Sequence, residues 1–196
     1  MPDLLPLLGD EPSERSDAAR NRAALLAAGR DLVAHCGTEA VTMEAVAERA
    51  GVGKGTVFRR FGTREGLMAA VLDADEREWQ AAVISGPPPL GPGAEPWERL
   101  VAFGRSRLVT TLTHADLIRA AGGFGSRSQP AHAFTVLHLR HLLRELGVTG
   151  DLPMLATALL APLEVPLLDA AVRAEDYPVE RVLASWLDLA RRITAG

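Results

Sequence analysis

The chain of 196 residues holds a single cysteine, Cys36, so no disulfide can close within it and a redox switch would lack its second thiol. Cys36 itself is expected to be a small buried hydrophobe at the end of the first helix. Aromatic side chains are only 5% of the residues, so an apolar interior must be built mainly from Leu, Val and Ala. No apolar run approaches the roughly 20 residues of a membrane-spanning helix, and residues 1–10 lack the basic start of a secretory leader. A cytoplasmic protein with no membrane partner is therefore expected. Lysine occurs once, at Lys54; every other basic side chain is arginine. Alternating apolar–polar runs of useful length are missing as well, which points to an all-α chain.

What is present suits a globular protein, with 47% hydrophobic and 23% charged residues. The net charge of −4 speaks against nucleic acid until its distribution is considered. Residues 1–14 carry four acids and no base, and residues 65–196 carry 12 basic and 16 acidic side chains. Residues 15–64 carry nine basic side chains against five acidic ones, a net of +4. The basic surplus coincides with a stretch, residues 42–64, that reads as two short helices joined by a tight turn. Thr42 can cap the first helix, and Val46, Ala47 and Ala50 share one of its faces. Gly51 suits its C-terminus, where a left-handed residue is favoured. Val57 and Phe61, four apart, give the second helix an apolar edge and leave Lys54, Thr56, Arg59 and Arg60 for its other sides. A short basic helix held by a small apolar partner fits a helix-turn-helix reader of DNA.

The run from about Ala18 to Leu72 resembles the N-terminal domain of the TetR family of bacterial transcriptional regulators. The matching residues are Ala27-Ala28, Leu32, Gly37, Val41-Thr42, then 46–52 (VAERAGV), 54–58 (KGTVF), Phe61 and 64–67 (REGL). The resemblance implies that Thr42 meets a phosphate, that Lys54, Gly55 and Thr56 face base edges, and that Arg59 and Arg60 contact phosphate or base. Arg64 would grip the DNA backbone, and Arg20 and Arg22 are further phosphate candidates. Two positions depart from the family pattern. Gly53 stands where a hydroxyl cap is commoner, and Phe58 where a tyrosine usually donates to a phosphate. Phe58 is counted among the DNA-contacting residues through packing against a sugar or a thymine methyl.

The same stretch contains GVGKGT (51–56), an echo of a nucleotide-binding phosphate loop. That loop requires a glycine at the position of Glu48 and a preceding strand. Here the residue is acidic and the segment helical, so an enzyme is not expected. Five histidines include His138 and His141, three apart on one helix, but no further ligand lies at metal spacing, and neither metal nor cofactor is expected.

The organisation expected is a mobile arm (1–14), a helix-turn-helix domain (15–64) and a helical effector-binding and dimerisation domain (65–196). The first helix should start near Ser16 or Asp17 and bury Ala24, Leu25, Ala27, Ala28 and Leu32. Residues 85–96, rich in Gly and Pro, break the helices, and Pro162 and Pro166 should kink the segment 152–172. By resemblance, Phe103, Arg107, Phe134 and His138 are candidates to line an effector cavity, with an apolar effector guessed. The last two long helices carry more apolar residues than one buried stripe requires, and the resemblance implies that they pair in a twofold homodimer facing a roughly palindromic operator. The expected function is a repressor released from DNA by a small molecule. The alternative is a helical ligand-binding or interaction protein without sequence-specific DNA binding.

Overall fold

The computed structural model describes residues 11–122 and 129–195, and no strand occurs among them. The first ten residues of the expected arm lie outside this range. The chain divides into two compact units, one through Val71 and one from Leu72 onward.

In the first unit, α1 (Glu11–Cys36) begins upstream of the expected Ser16–Asp17 cap and takes in residues 11–14. Its buried stripe is Leu25, Leu26, Ala28 and Leu32, while Ala24 and Ala27 are exposed. The leucine at 26 displaces the alanines because burying its larger side chain removes more apolar surface from water. Cys36 is exposed, contrary to the expectation of burial. The helix ends at that residue, and the stripe that faces the core has already closed at Leu32. A short 3-10 turn (Thr38–Ala40) leads to α2 (Met43–Arg49), α3 (Lys54–Phe61) and the first turns of α4 (Arg64–Ser85). Val41, Val46, Val57, Leu67 and Met68, all at 0% exposure, form the core of the three-helix unit.

The second unit contains the remainder of α4, then α5 (Pro96–Thr113), α6 (Ala115–Ala120), α7 (Gln129–Glu145), α8 (Leu152–Leu160), α9 (Val165–Leu168) and α10 (Val179–Ala195). Pro96 opens α5, where its missing N–H costs nothing. Asp151 caps α8, its carboxylate accepting from the Met154 N–H at 3.1 Å. A 3-10 turn (Ala161–Leu163) and the extended Glu164 then separate α8 from α9, and the two segments bend by 45°. Pro162 and Pro166 supply the cause, since neither can donate to the carbonyl four residues earlier. A π-helical turn (Asp169–Ala174) follows, pinned to α6 by Arg119, which donates to Asp169 at 2.7 and 3.1 Å. No single helix among the described residues is long and apolar enough to cross a membrane.

The core of this unit gathers Trp79, Leu100, Phe103, Leu139, Leu142, Leu159 and Trp186. The Trp186 indole N–H donates to the Leu159 carbonyl at 2.7 Å, satisfying the one polar atom of the largest buried ring. That ring lies against the backbone of Gly104, where a Cβ would fall 2.1 Å from Cζ3. Only glycine permits this approach of α5 and α10. Gly104→Ala should therefore destabilise the protein by about 1–3 kcal/mol through overpacking, read as a fall in the melting temperature monitored by circular dichroism.

Candidate functional site

α2 is started by Thr42, whose Oγ1 accepts from the Ala45 N–H at 3.0 Å. It stops where Gly51, at φ +66°, reverses the chain, and the Val52 N–H returns to the Ala47 carbonyl at 3.0 Å. α3 opens from Gly53 without a side-chain cap, as its sequence implied. The only fully buried residue of α3 is Val57, with Phe61 half-buried beside it. Lys54, Gly55, Phe58, Arg59 and Arg60 are exposed together with Thr42, and Thr56 is half-buried. An uncapped helix N-terminus with a lysine, a hydroxyl and an arginine around it suits an anion.

The cations of this unit divide into two sets. Lys54 pairs with Glu44 of α2, and its Nζ lies 5.3 Å from the Phe58 ring centroid. The lysine holds the Glu44 carboxyl below the usual range. Arg59 makes one weak contact, Nη2 to Thr56 Oγ1 at 3.3 Å. Arg60, though exposed, reaches across to α1, donating from Nη2 to the Ala18 carbonyl at 2.6 Å. Arg64 is tied further: Nε donates to the Val41 carbonyl at 2.9 Å and Nη2 to the Thr38 carbonyl at 2.6 Å. Arg20, on α1, pairs with Asp17. Lys54, Phe58 and Arg59 thus form the outward face, and Arg60 and Arg64 brace it. Sequence reading missed Glu44, although its place one residue beyond the Thr42 and Met43 start of α2 put it within reach of Lys54.

Residues 25–71 match the family model for bacterial regulatory proteins of the tetR family. The likeness to that family's N-terminal domain is thus confined to the first unit. Over 62 residues it is 44% identical to an HTH-type transcriptional repressor of Mycobacterium tuberculosis and to an HTH-type transcriptional regulator of Mycobacterium bovis. Each match covers 32% of this chain and 31% of the relative, so the similarity spans under a third of those proteins. The TetR fold extends over nearly the whole chain. A TetR-family regulator from Pectobacterium atrosepticum superposes with a TM-score of 0.67 at 22% identity, covering 90% of this chain and 93% of that one. A Saccharomonospora viridis protein in complex with choline gives 0.63 at 16% identity, with coverage of 88% and 96%. The multidrug binding protein EbrR complexed with ethidium gives 0.59 at 20% identity, with coverage of 86% and 97%.

In the second unit, Phe103, Arg107, Phe134 and His138 are brought together. Phe103 and His138 stand 5.5 Å apart between ring centroids, Phe134 and His138 6.2 Å, and Trp79 lies 5.4 Å from Phe103 and 6.4 Å from Phe134. Phe103 and Arg107 are at 0% exposure. Arg107 Nη1 donates to both oxygens of Glu76, at 2.9 and 3.2 Å, and its guanidinium carbon lies 4.8 Å from the Trp79 ring centroid. Burial, reinforced by the charge of Arg99 and by His141, pushes the His138 pKa down to about 4, so its imidazole is neutral at pH 7. The open groove of 680 Å³ along Pro88, Pro89, Trp97 and Val101 is lined by none of the four. Sequence reading missed Glu76 and Trp79. Both continue the apolar register of Leu72 and Val83 on α4, and an acid in that register is a signal of a buried partner.

Arg64 joins α4 to the backbone just before α2 through two charge-assisted hydrogen bonds. Arg64→Met should lower the stability of the N-terminal unit by about 2 kcal/mol in urea denaturation followed by circular dichroism. Lys54→Ala, on the solvated face, should leave the same transition unmoved.

Proposed function

We propose that the protein is a transcriptional repressor that binds a roughly palindromic DNA operator as a homodimer and leaves it when a small molecule occupies the C-terminal unit. The observation that carries this reading is the outward face of α3. Lys54, Thr56, Phe58 and Arg59 stand exposed or half-exposed around a helix start, on a domain whose sequence and fold match the TetR family. Lys54, Gly55 and Thr56 meet base edges. Thr42 and Arg59 meet phosphates, where the hydroxyl, the guanidinium and the helix N–H groups all favour an anion. Phe58, lacking a hydroxyl, packs against sugar or a thymine methyl. Arg60 and Arg64 reach DNA only with nitrogens left over from their bonds to Ala18, Val41 and Thr38, so their main part is to hold α3 and α4 in place. The function is regulatory rather than enzymatic, in the cytoplasm, with no cofactor.

The dimer forms through α8 to α10. Met154 and Leu167 are 64% and 52% exposed, and an apolar hollow of 230 Å³ lies between Thr157, Leu160, Ala161, Pro166 and Leu167. On α10 the exposed residues after Glu180 and Arg181 include the small Ala184 and Ser185, which let a second helix approach closely. Two recognition helices on one twofold axis would then meet successive major grooves roughly 34–36 Å apart.

A gel shift with the DNA upstream of the protein's own gene tests the core of this reading. Lys54→Ala should weaken binding about tenfold or more and flatten its salt dependence, and retained wild-type affinity would remove Lys54 from the interface. Phe58→Tyr should tighten binding a few-fold by restoring a phosphate donor. Light scattering should give twice the 20.9 kDa chain mass, falling to one chain in Leu167→Glu. A concentration-independent monomer in the unaltered protein would overturn the dimer.

A further inference from the structure

Six buried side-chain polar atoms of the C-terminal unit have no hydrogen-bond partner among the described residues: Nε and Nη2 of Arg107, Oγ1 of Thr111, Nε of Arg99 and of Arg140, and Nε2 of His138. Arg107 and Thr111, at 0% and 1% exposure, are the two of these residues buried on one face of α5. The two residues stand four apart on α5, about 6 Å along its axis and on one face. Three helical threonines of this unit, Thr135, Thr157 and Thr194, turn their hydroxyls onto the carbonyl four residues earlier, at 3.0, 2.9 and 3.0 Å. Thr111 makes no such bond, and its hydroxyl is left for something else.

Glu76 decides which edge of Arg107 is open. Its two oxygens take Nη1, leaving Nε and Nη2, the planar two-donor edge of the guanidinium. Trp79 lies against the guanidinium, and Phe103 and Phe134 pack on Trp79. An unanswered donor edge and an uncommitted hydroxyl therefore sit beside a cluster of rings, of which Phe134 is only half-buried.

We propose that Arg107 and Thr111 are the polar recognition point of the effector, and that the effector is an uncharged aromatic carbonyl compound. One lone pair of its oxygen is shared between Arg107 Nε–H and Nη2–H in a three-centre bond and the other accepts from the Thr111 hydroxyl, while its ring system lies against Trp79, Phe103 and Phe134. This deepens, and rests on, the reading of the chain as an effector-released regulator. Charge decides against an acid, because Glu76 already neutralises Arg107 and a second carboxylate would leave a buried net negative charge. A hydrocarbon is disfavoured too, since it would leave all three groups desolvated and unanswered. A carbonyl oxygen, with two lone pairs and no charge, meets both conditions.

Isothermal titration calorimetry on the full-length protein without DNA tests this with three ligands of one shape: 2-acetylnaphthalene, 2-naphthoate and 2-ethylnaphthalene. The ketone should bind at least tenfold tighter than either of the others. Thr111→Val, which keeps side-chain shape, should cut the preference for the ketone over the hydrocarbon at least threefold. Glu76→Gln, which leaves Arg107 uncompensated, should turn the preference toward 2-naphthoate. Equal binding of the three, a preference for naphthoate in the unaltered protein, binding of none, or an unchanged preference in Thr111→Val would each overturn the proposal. Failure of the operator gel shift would instead remove the regulator reading and leave the calorimetric result standing.

Discussion

A guanidinium with no solvent contact is tolerated in an apolar interior only when a carboxylate meets it there, and the Glu76–Arg107 pair supplies that condition for the C-terminal unit. Such a pair returns little net stability, because both ions lose their hydration. It acts on register instead. Glu76 belongs to α4 and Arg107 to α5, and the neighbouring polar contacts join the same two elements. Trp79 Nε1 donates to Ser106 Oγ at 2.8 Å, and Asp75 pairs with His114 at the end of α5 at 3.1 Å. Leucines can slide past one another at modest cost, whereas a one-residue slip would break every one of these contacts and strand two buried charges.

The N-terminal unit solves a different problem, that of aiming a helix of eight residues. Such a helix has little intrinsic stability, and Gly53 gives it no cap. Its position comes from Val57 in the core and from two arginines that reach back to main-chain carbonyls, Arg60 to Ala18 and Arg64 to Val41 and Thr38. Using arginines inward for support leaves fewer cations outward. The remaining pair of consequence, Lys54 with Glu44, is exposed on both sides. Exposed ion pairs are worth little in water, so the lysine can be given up to a phosphate or base at small cost, while Glu44 keeps it extended across the α2–α3 face beforehand.

The parts of this structure that depend on local rules could be read in the sequence. Thr42 as a cap, Gly51 as a reversal, Pro96 as a helix start and Pro162 with Pro166 as a bend each follow from one residue's own stereochemistry. What could not be read depends on partners distant in the chain. The carbonyls that Arg60 and Arg64 reach, 42 and 23 residues earlier in the chain, are not legible from the residues around them. Cys36 looks like a buried hydrophobe until the exposed end of α1 is seen. Arg107 is buried against Glu76, 31 residues earlier; the apolar register of α4 marks Glu76 as an acid with a buried partner, but which partner is not written locally. The hydroxyl of Thr111 is a matter of side-chain rotamer, which no sequence pattern encodes.

The effector control proposed above would set a quantitative requirement on these groups. A ligand moves a protein off DNA only by as much as it binds the DNA-free conformation better, and a hundredfold release needs about 2.7 kcal/mol of coupling. Hydrogen bonds to a charged donor are worth about 1.5–3 kcal/mol each. One acceptor seated on the open edge of Arg107 is therefore of the right size, provided the bond is made in one conformation and weakened in the other. α4 offers a reason why it would be. The helix carries Glu76, which holds the other side of that guanidinium, and it begins at Arg64, which holds the backbone leading into α2. In the proposed control, a shift of α4 would re-aim Glu76 and so change the edge of Arg107 open to a ligand. The charges that fix the register of α4 against α5 are the ones the proposed effector would have to engage.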